Sequence, residues 1–186
     1  MGKLIYSMVT SLDGYVESEG GIGRGPAEDA EAHAFIGRRF EGVGTYLYGR
    51  RMYEVMVAWE TMHLQEGVPP HILEYGEVWR AAEKVVYSRT LREVSSERTR
   101  IEREFDPDAV RRLKEGSDRD VSVSGPTLAA QALAAGLVDE VHPFTTSSVV
   151  GGGKRFLPEG VRLDLELVEH RSFRGSGLLY AHYRAA

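Results

Sequence analysis

Short apolar runs alternate with helical patterns along most of the chain, and this alternation constrains the fold more than any single motif. It is the pattern of a mostly parallel sheet whose strands are joined by crossover helices. Leu4 to Val9 reads as a first strand ending at the turn Ser11-Leu12-Asp13-Gly14. A helix is expected from Pro26 to about Glu41, with Glu28, Asp29 and Glu31 at the positive end of its dipole. Residues 45–48 and 84–88 read as strands, 50–57 and 71–82 as helices, and 89–105 as a charged, irregular surface connection. Asp106-Pro107 is an N-cap followed by proline at the first helical position, opening a helix to about Glu115. A strand over 121–124 leads through Gly125-Pro126 into an Ala- and Leu-rich helix stopped by Gly136. Residues 138–146 read as a strand in which Pro143 demands a sheet edge or a bulge.

The last quarter changes character. Leu163, Leu165 and Leu167 alternate with Asp164 and Glu166, and residues 178–183 form a second β-like run beyond Gly175-Ser176-Gly177. This predicts a C-terminal antiparallel pair. No repeat or linker interrupts the 186 residues, so one domain over 1–186 is expected. A net charge of −5 argues against a nucleic-acid surface. The absence of cysteine excludes disulfides and thiolate chemistry. The opening Met1–Tyr6 reads straight into a strand without a leader, and no run approaches the roughly 20 apolar residues of a membrane span. A cytoplasmic protein with no nucleic-acid or membrane partner is the expectation.

Three strand-to-helix junctions carry the chemistry. Gly49-Arg50-Arg51 offers a close backbone approach and two guanidinium groups. Ser88-Arg89 pairs a hydroxyl with an arginine, the donors wanted by a phosphate. Ser124-Gly125-Pro126-Thr127-Leu128 brings glycine, hydroxyl and helix N-terminus together, a setting for pyrophosphate. In an α/β sheet such junctions meet at the carboxyl ends of the strands. Alone, Gly49-Arg50-Arg51 reads equally well as a turn with exposed arginines, and Ser88-Arg89 more readily as a solvated surface turn. Gly151-Gly152-Gly153-Lys154-Arg155 is not a P-loop, because Ser148 stands at its first glycine position and Arg155 follows the lysine. A glycine loop approaching a ligand or the sheet fits better. Gly20 to Gly25 reads as a mobile flap. The six histidines show no close ligand spacing, so packing or solvated roles are expected and no metal. Asp13 and Glu31 are the carboxylates nearest the presumed cleft and the candidates for orienting a substrate or relaying a proton.

In this order and spacing, the pieces resemble the RibD C-terminal branch of the dihydrofolate reductase family. The residues that carry the likeness are Ser11 to Gly14, Leu47 to Arg51 with Tyr53-Glu54, Ser88-Arg89 with Leu91, Ser124-Gly125, and Leu137 to Glu140 leading to Gly151-Gly152-Gly153. The resemblance implies a three-layer dihydrofolate reductase-like α/β fold, with a mostly parallel central sheet, a C-terminal antiparallel hairpin, and NADPH across the strand ends. It implies that Gly49, Arg50 and Arg51 hold phosphates, that Ser88 and Arg89 meet the 2′-phosphate, and that Ser124 to Leu128 cradle the pyrophosphate. Val9 and Gly14 would line the nicotinamide, with Gly152 also on the cofactor. It implies a homodimer built on the C-terminal strands and an NADPH-dependent reduction of a small substrate, with 5-amino-6-(5-phosphoribosylamino)uracil reductase the nearest named activity. Met52 stands where the family's Gly-Arg-x-Thr-Tyr motif has a hydroxyl, and Ser124-Gly125-Pro126 where the riboflavin enzymes have Glu-Gly-Gly. A dihydrofolate reductase and a non-catalytic NADPH-binding protein are the alternatives.

Overall fold

The computed structural model describes residues 1–21, 26 and 29–186. The chain begins β1 (Leu4–Thr10), β2 (Tyr15–Glu17), α1 (Ala30–Phe40), β3 (Val43–Gly49) and α2 (Arg50–Met56). Two 3₁₀ turns follow, then α3 (Pro70–Ala81), β4 (Glu83–Tyr87), β5 (Thr99–Glu102), α4 (Pro107–Gly116) and β6 (Asp120–Ser124). It closes with α5 (Pro126–Ala134), β7 (Glu140–Thr145), β8 (Lys154–Arg155), β9 (Leu165–Phe173) and β10 (Leu178–Ala185).

Eight strands form one sheet in the order β5-β4-β3-β6-β1-β7-β10-β9. The first six of that order are mutually parallel, and β10 runs antiparallel to both β7 and β9. A parallel sheet buries both faces, and β1, β3 and β4 are accordingly buried along most of their length, whereas β6 alternates valine with serine and the edge strand β5 does not follow the rule. On one face Leu4, Tyr6, Leu47, Val85, Val121 and Val123 pack against Val110 of α4 and Leu128, Ala132 and Leu133 of α5. On the other, Tyr46, Tyr48 and Val86 meet Phe40 of α1, Tyr53 of α2 and Trp79 of α3. Phe35 of α1 covers Phe144, Phe173 and Tyr180 beside them. The three-layer α/β expectation holds. Among the described residues no helix is long and apolar enough to cross a membrane.

Local chemistry explains the helix ends. Asp106 accepts from the Asp108 amide and Pro107 follows it, as expected for α4. The first helix starts at Ala30 rather than near Pro26, because Asp29 is its N-cap and accepts from the amides of Glu31 and Ala32. The other Asp29 oxygen accepts from Ser176 N at 2.8 Å, which ties this helix to the β9–β10 turn. Glu28 and the flap from Ile22 to Gly25 lie outside the described residues. Lys84 is fully buried under the end of α3, where its ammonium donates to the carbonyls of Trp79 and Arg80 and lies 4.4 Å from the Trp79 ring.

Two readings need correction. The stretch 89–105 contains β5, which pairs with β4 from Lys84↔Thr99 to Tyr87↔Glu102. Pro143 sits in an interior strand, not on an edge. It is tolerated because the β7–β10 ladder pairs Phe144 and Val141 with Tyr180 and Tyr183 and skips the positions between them. The hairpin is present as expected, yet of its alternating leucines only Leu163 and Leu165 pack inward and Leu167 is exposed.

A buried polar network pins β7 and β10 under α1. Lys3 Nζ donates to Glu140 Oε1 at 2.6 Å, and the Nε2 atoms of His142 and His182 each lie 3.2 Å from Glu140 Oε2. Arg39 donates to the Tyr180 hydroxyl at 3.1 Å and stands 3.2 Å from His182 Nδ1. The Tyr180 hydroxyl lies 3.4 Å from His142 Nδ1. Burial pushes the His142 pKa down to about 3 and lowers that of His182. Burial alone would raise Glu140, but Lys3 and the two histidines outweigh it and hold its carboxyl low. Unfolded histidine binds a proton at about pH 6.5 that the native rings refuse, so stability falls as the pH drops from there toward 3. Denaturant titrations at pH 7, 6, 5 and 4 are expected to show this decline, and His142→Gln to flatten it. An identical slope in the variant would remove His142 from the account.

Candidate active site

All six parallel strands point their carboxyl ends to one edge of the sheet, and the loops beyond them enclose a groove of about 900 Å³. Gly49, Arg50, Arg51, Ser88, Arg89, Gly125, Pro126, Thr127 and Leu128 all line it, so the three junctions singled out in the sequence come together. The groove's cations are Arg50, Arg51, Arg89, Arg103 and Lys154, against the carboxylates of Glu17 and Glu104.

Gly125 shows why glycine is needed at the central junction. Its φ is +99°, and a Cβ there would stand 3.4 Å from the Met52 Cβ. Pro126 then begins α5, whose first amides have no partner inside the helix. Ser124 is buried, with its hydroxyl 3.3 Å from the Ser7 carbonyl, so it supports the junction from beneath. Arg50 is tied to Glu54 at 2.7 Å and to the Thr90 hydroxyl at 2.9 Å, which links α2 to the turn after β4. Ser88 Oγ accepts the amides of Thr90 and Leu91 in that same turn.

The remaining candidates lie off the groove lining. Val9 packs with the aromatic cluster under α1, and Gly14 lies in the turn after β1, its carbonyl accepting from Phe156 N. Glu31 is exposed and pairs with Arg171 at 2.7 Å. Asp13 accepts from Ser11 Oγ at 2.7 Å, Val150 N at 3.1 Å and Gly151 N at 2.7 Å. These donors, Ser11 first, hold its carboxyl below the usual range although desolvation opposes them. Asp13 thus clamps the loop containing Gly152 to the turn after β1. In that loop Gly153 allows a contact no other residue could make, since a Cβ would sit 1.8 Å from the Glu17 carbonyl oxygen. The result is a small β2–β8 ribbon, from which Val16, Glu17 and Lys154 reach the groove.

Sequence reasoning missed the far end of the groove. Arg103, Glu104 and Phe105 follow β5, and Arg103 donates to the carbonyls of Ser88 and Leu91 at 2.9 and 2.6 Å. The signal was the alternation Thr99-Arg100-Ile101-Glu102, a four-residue strand inside a charged stretch. It also missed the Glu140–His142–His182 cluster, whose three potential ligand atoms lie within 4.8 Å of one another. Arginine only donates, so Arg39 makes His182 Nδ1 an acceptor and puts the ring hydrogen of the neutral imidazole on Nε2, which lies 3.2 Å from Glu140 Oε2 but outside hydrogen-bond geometry.

A sequence-family model described as the RibD C-terminal domain matches residues 2–179. The chain belongs to the RibD C-terminal domain family. The uncharacterized protein YyaP of Bacillus subtilis (strain 168) is 25% identical over 185 residues, 97% of this chain and 94% of YyaP. A candidate riboflavin biosynthesis protein from Shewanella sp. PV-4 superposes with a TM-score of 0.70 at 17% identity, covering 99% of both chains. Dihydrofolate reductase from Enterococcus faecalis, complexed with NADP(H) and RAB-propyl, gives 0.62 at 12% identity over 99% of this chain and 96% of its own. The RibD C-terminal fold is thus shared with dihydrofolate reductase, and the groove lies along the C-terminal edge of its sheet.

The Asp13 clamp has a measurable signature. In Asp13→Ala the amides of Val150 and Gly151 are expected to lose protection from hydrogen exchange, while those of β1 and β7 keep theirs. Unchanged protection at both amides would show that the loop holds itself.

Proposed function

We propose that this protein is an NADPH-dependent reductase of the RibD C-terminal type that passes a hydride to a small heterocyclic or carbonyl substrate. Reduction of 5-amino-6-(5-phosphoribosylamino)uracil is the nearest named activity. The observation that carries the reading is the cationic groove along the strand ends, with the positive-φ Gly125 junction at its middle. From β1 to β5 is four interstrand steps, about 19 Å at roughly 4.8 Å each, a span suited to an extended dinucleotide. The NADP(H) complex of the Enterococcus enzyme, which has the same fold, supports the choice of ligand.

The residues present fit that cofactor. The amides at the start of α5 receive the pyrophosphate, with no Cβ at Gly125 to obstruct it. Arg51 adds charge there, and Ser88 and Arg89 serve the adenosine 2′-phosphate. Tyr87 and Phe105, with ring centroids 5.6 Å apart, give the adenosine end an aromatic wall. Met8, Val16 and Leu128 give the opposite end an apolar lining. NADPH, when bound, supplies the hydride.

The folate alternative finds less support. A catalytic carboxylate on the first helix needs an apolar wall, and Glu31 has Arg171 and solvent instead. The same reading makes this a cytoplasmic protein acting on a small molecule, without nucleic-acid or membrane partners. It also makes the protein a homodimer joined at β9, the nine-residue edge strand that leaves Leu167 and Val168 exposed. A solution mass near twice 20.7 kDa is expected by light scattering, and a monomeric mass at micromolar concentration would refute the dimer.

The decisive experiment measures cofactor affinity and oxidation together. Wild-type protein is expected to bind NADPH more tightly than NADH, and Arg89→Ala to lose about tenfold of that preference, the lower end for a hydrogen bond to a charged group. NADPH oxidation is expected with the aminouracil substrate and not with dihydrofolate. Equal affinity for the two cofactors would sink the assignment of Arg89, and turnover of dihydrofolate that disappears in Glu31→Gln would make this a folate enzyme.

A further inference from the structure

The adenosine end of the groove carries a charge that does not suit a phosphate. Past the ends of β4 and β5 stand Ser88, Arg89, Arg103 and Glu104, on the side of the sheet farthest from β1. Arg103 is occupied by the carbonyls of Ser88 and Leu91. Arg89 makes one ion pair among the described residues, with Glu104 at 3.6 Å, and both side chains are largely exposed.

The two ions of this pair answer to different ligands. A ribose with a free 2′-hydroxyl presents a donor, which a carboxylate accepts. A 2′-phosphate presents a dianion, which a guanidinium binds and a carboxylate repels. Glu104 therefore opposes the phosphorylated ribose twice, by like charge and by holding Arg89, while offering the unphosphorylated ribose a hydrogen-bond acceptor.

We propose that Glu104 sets the cofactor discrimination of this groove, weakening its preference for the 2′-phosphorylated dinucleotide and admitting NADH as a second cofactor. This inference rests on reading the groove as a dinucleotide site. Glu104 is a specificity residue at the ribose, remote from the reacting atoms, so its effect belongs in binding and not in the rate of a bound complex.

The test uses two probes that differ only in the group at issue, adenosine 2′,5′-bisphosphate and 5′-AMP, titrated calorimetrically into the full-length protein. Glu104→Gln keeps the side chain's shape and removes its charge, and its exposed position leaves the core untouched. The bisphosphate is expected to bind about threefold to tenfold more tightly than to the wild type, the range for one charge near a surface site. 5′-AMP is expected to bind no more tightly, and the gain to shrink as salt is raised. In an Arg89→Ala background the gain is expected to fall, because one of its two sources is gone. If the wild type binds NADPH but the bisphosphate-to-AMP ratio is unchanged in Glu104→Gln, the role of Glu104 is overturned and the groove reading stands. If NADPH does not bind the wild type at all, both are overturned.

Discussion

Six strands run the same way through this molecule, and its other arrangements follow from that single constraint. A parallel strand cannot return by a tight turn, so each crossover must span the sheet. Parallel direction also sends every carboxyl end to one edge. Three of the loops gathered there hold the junctions at Gly49, Ser88 and Gly125, and a fourth, after β5, adds Arg103 and Glu104. The groove is therefore a property of strand direction before it is a property of any residue. The residues decide what it can hold, and Gly125 is the clearest case, because its positive φ strains any residue with a side chain.

The reversal at the C-terminus solves a different problem. Where the parallel order stops, β10 runs back along β7 and brings polar side chains under α1. Burying Glu140 alone would be costly, and two imidazoles, Lys3, Arg39 and Tyr180 share that burden. Asp29 binds the first helix to the same hairpin through Ser176. The helix over the hairpin and the hairpin itself are thus fastened by charged groups at Asp29, Glu31 and Arg39, with Phe35, Phe173 and Tyr180 packed between.

Legibility in the sequence tracked how local the controlling interaction is. Asp106-Pro107 could be read as a helix start because cap and proline act within one turn. The three junctions could be read because a parallel sheet forces strand ends together whatever the details. β5 could not, since only Ile101 in it is apolar and its existence depends on pairing with β4. The ribbon of β2 and β8 depends on Gly153 lying against the Glu17 backbone, a contact between segments far apart in the chain. Asp13 was visible as a turn residue, but its destination was not, because Val150 and Gly151 reach it only when the fold is complete. Glu140 and His142 share a face by the two-residue period of a strand, whereas His182 joins them only through the register of β10.

The position of β1 has a consequence for how the chain is made. It precedes every other strand of the sheet, yet its neighbours there are β6 and β7, which begin at Asp120 and Glu140. While β3, β4 and β5 can pair with one another as soon as residue 102 has emerged, the apolar Leu4–Thr10 segment waits with both edges open. Such long-range parallel pairing is slow to form, and an unpaired strand is a template for self-association in the meantime. A chain halted anywhere before Asp120 carries its future central strand without either partner, an apolar segment with both edges unpaired.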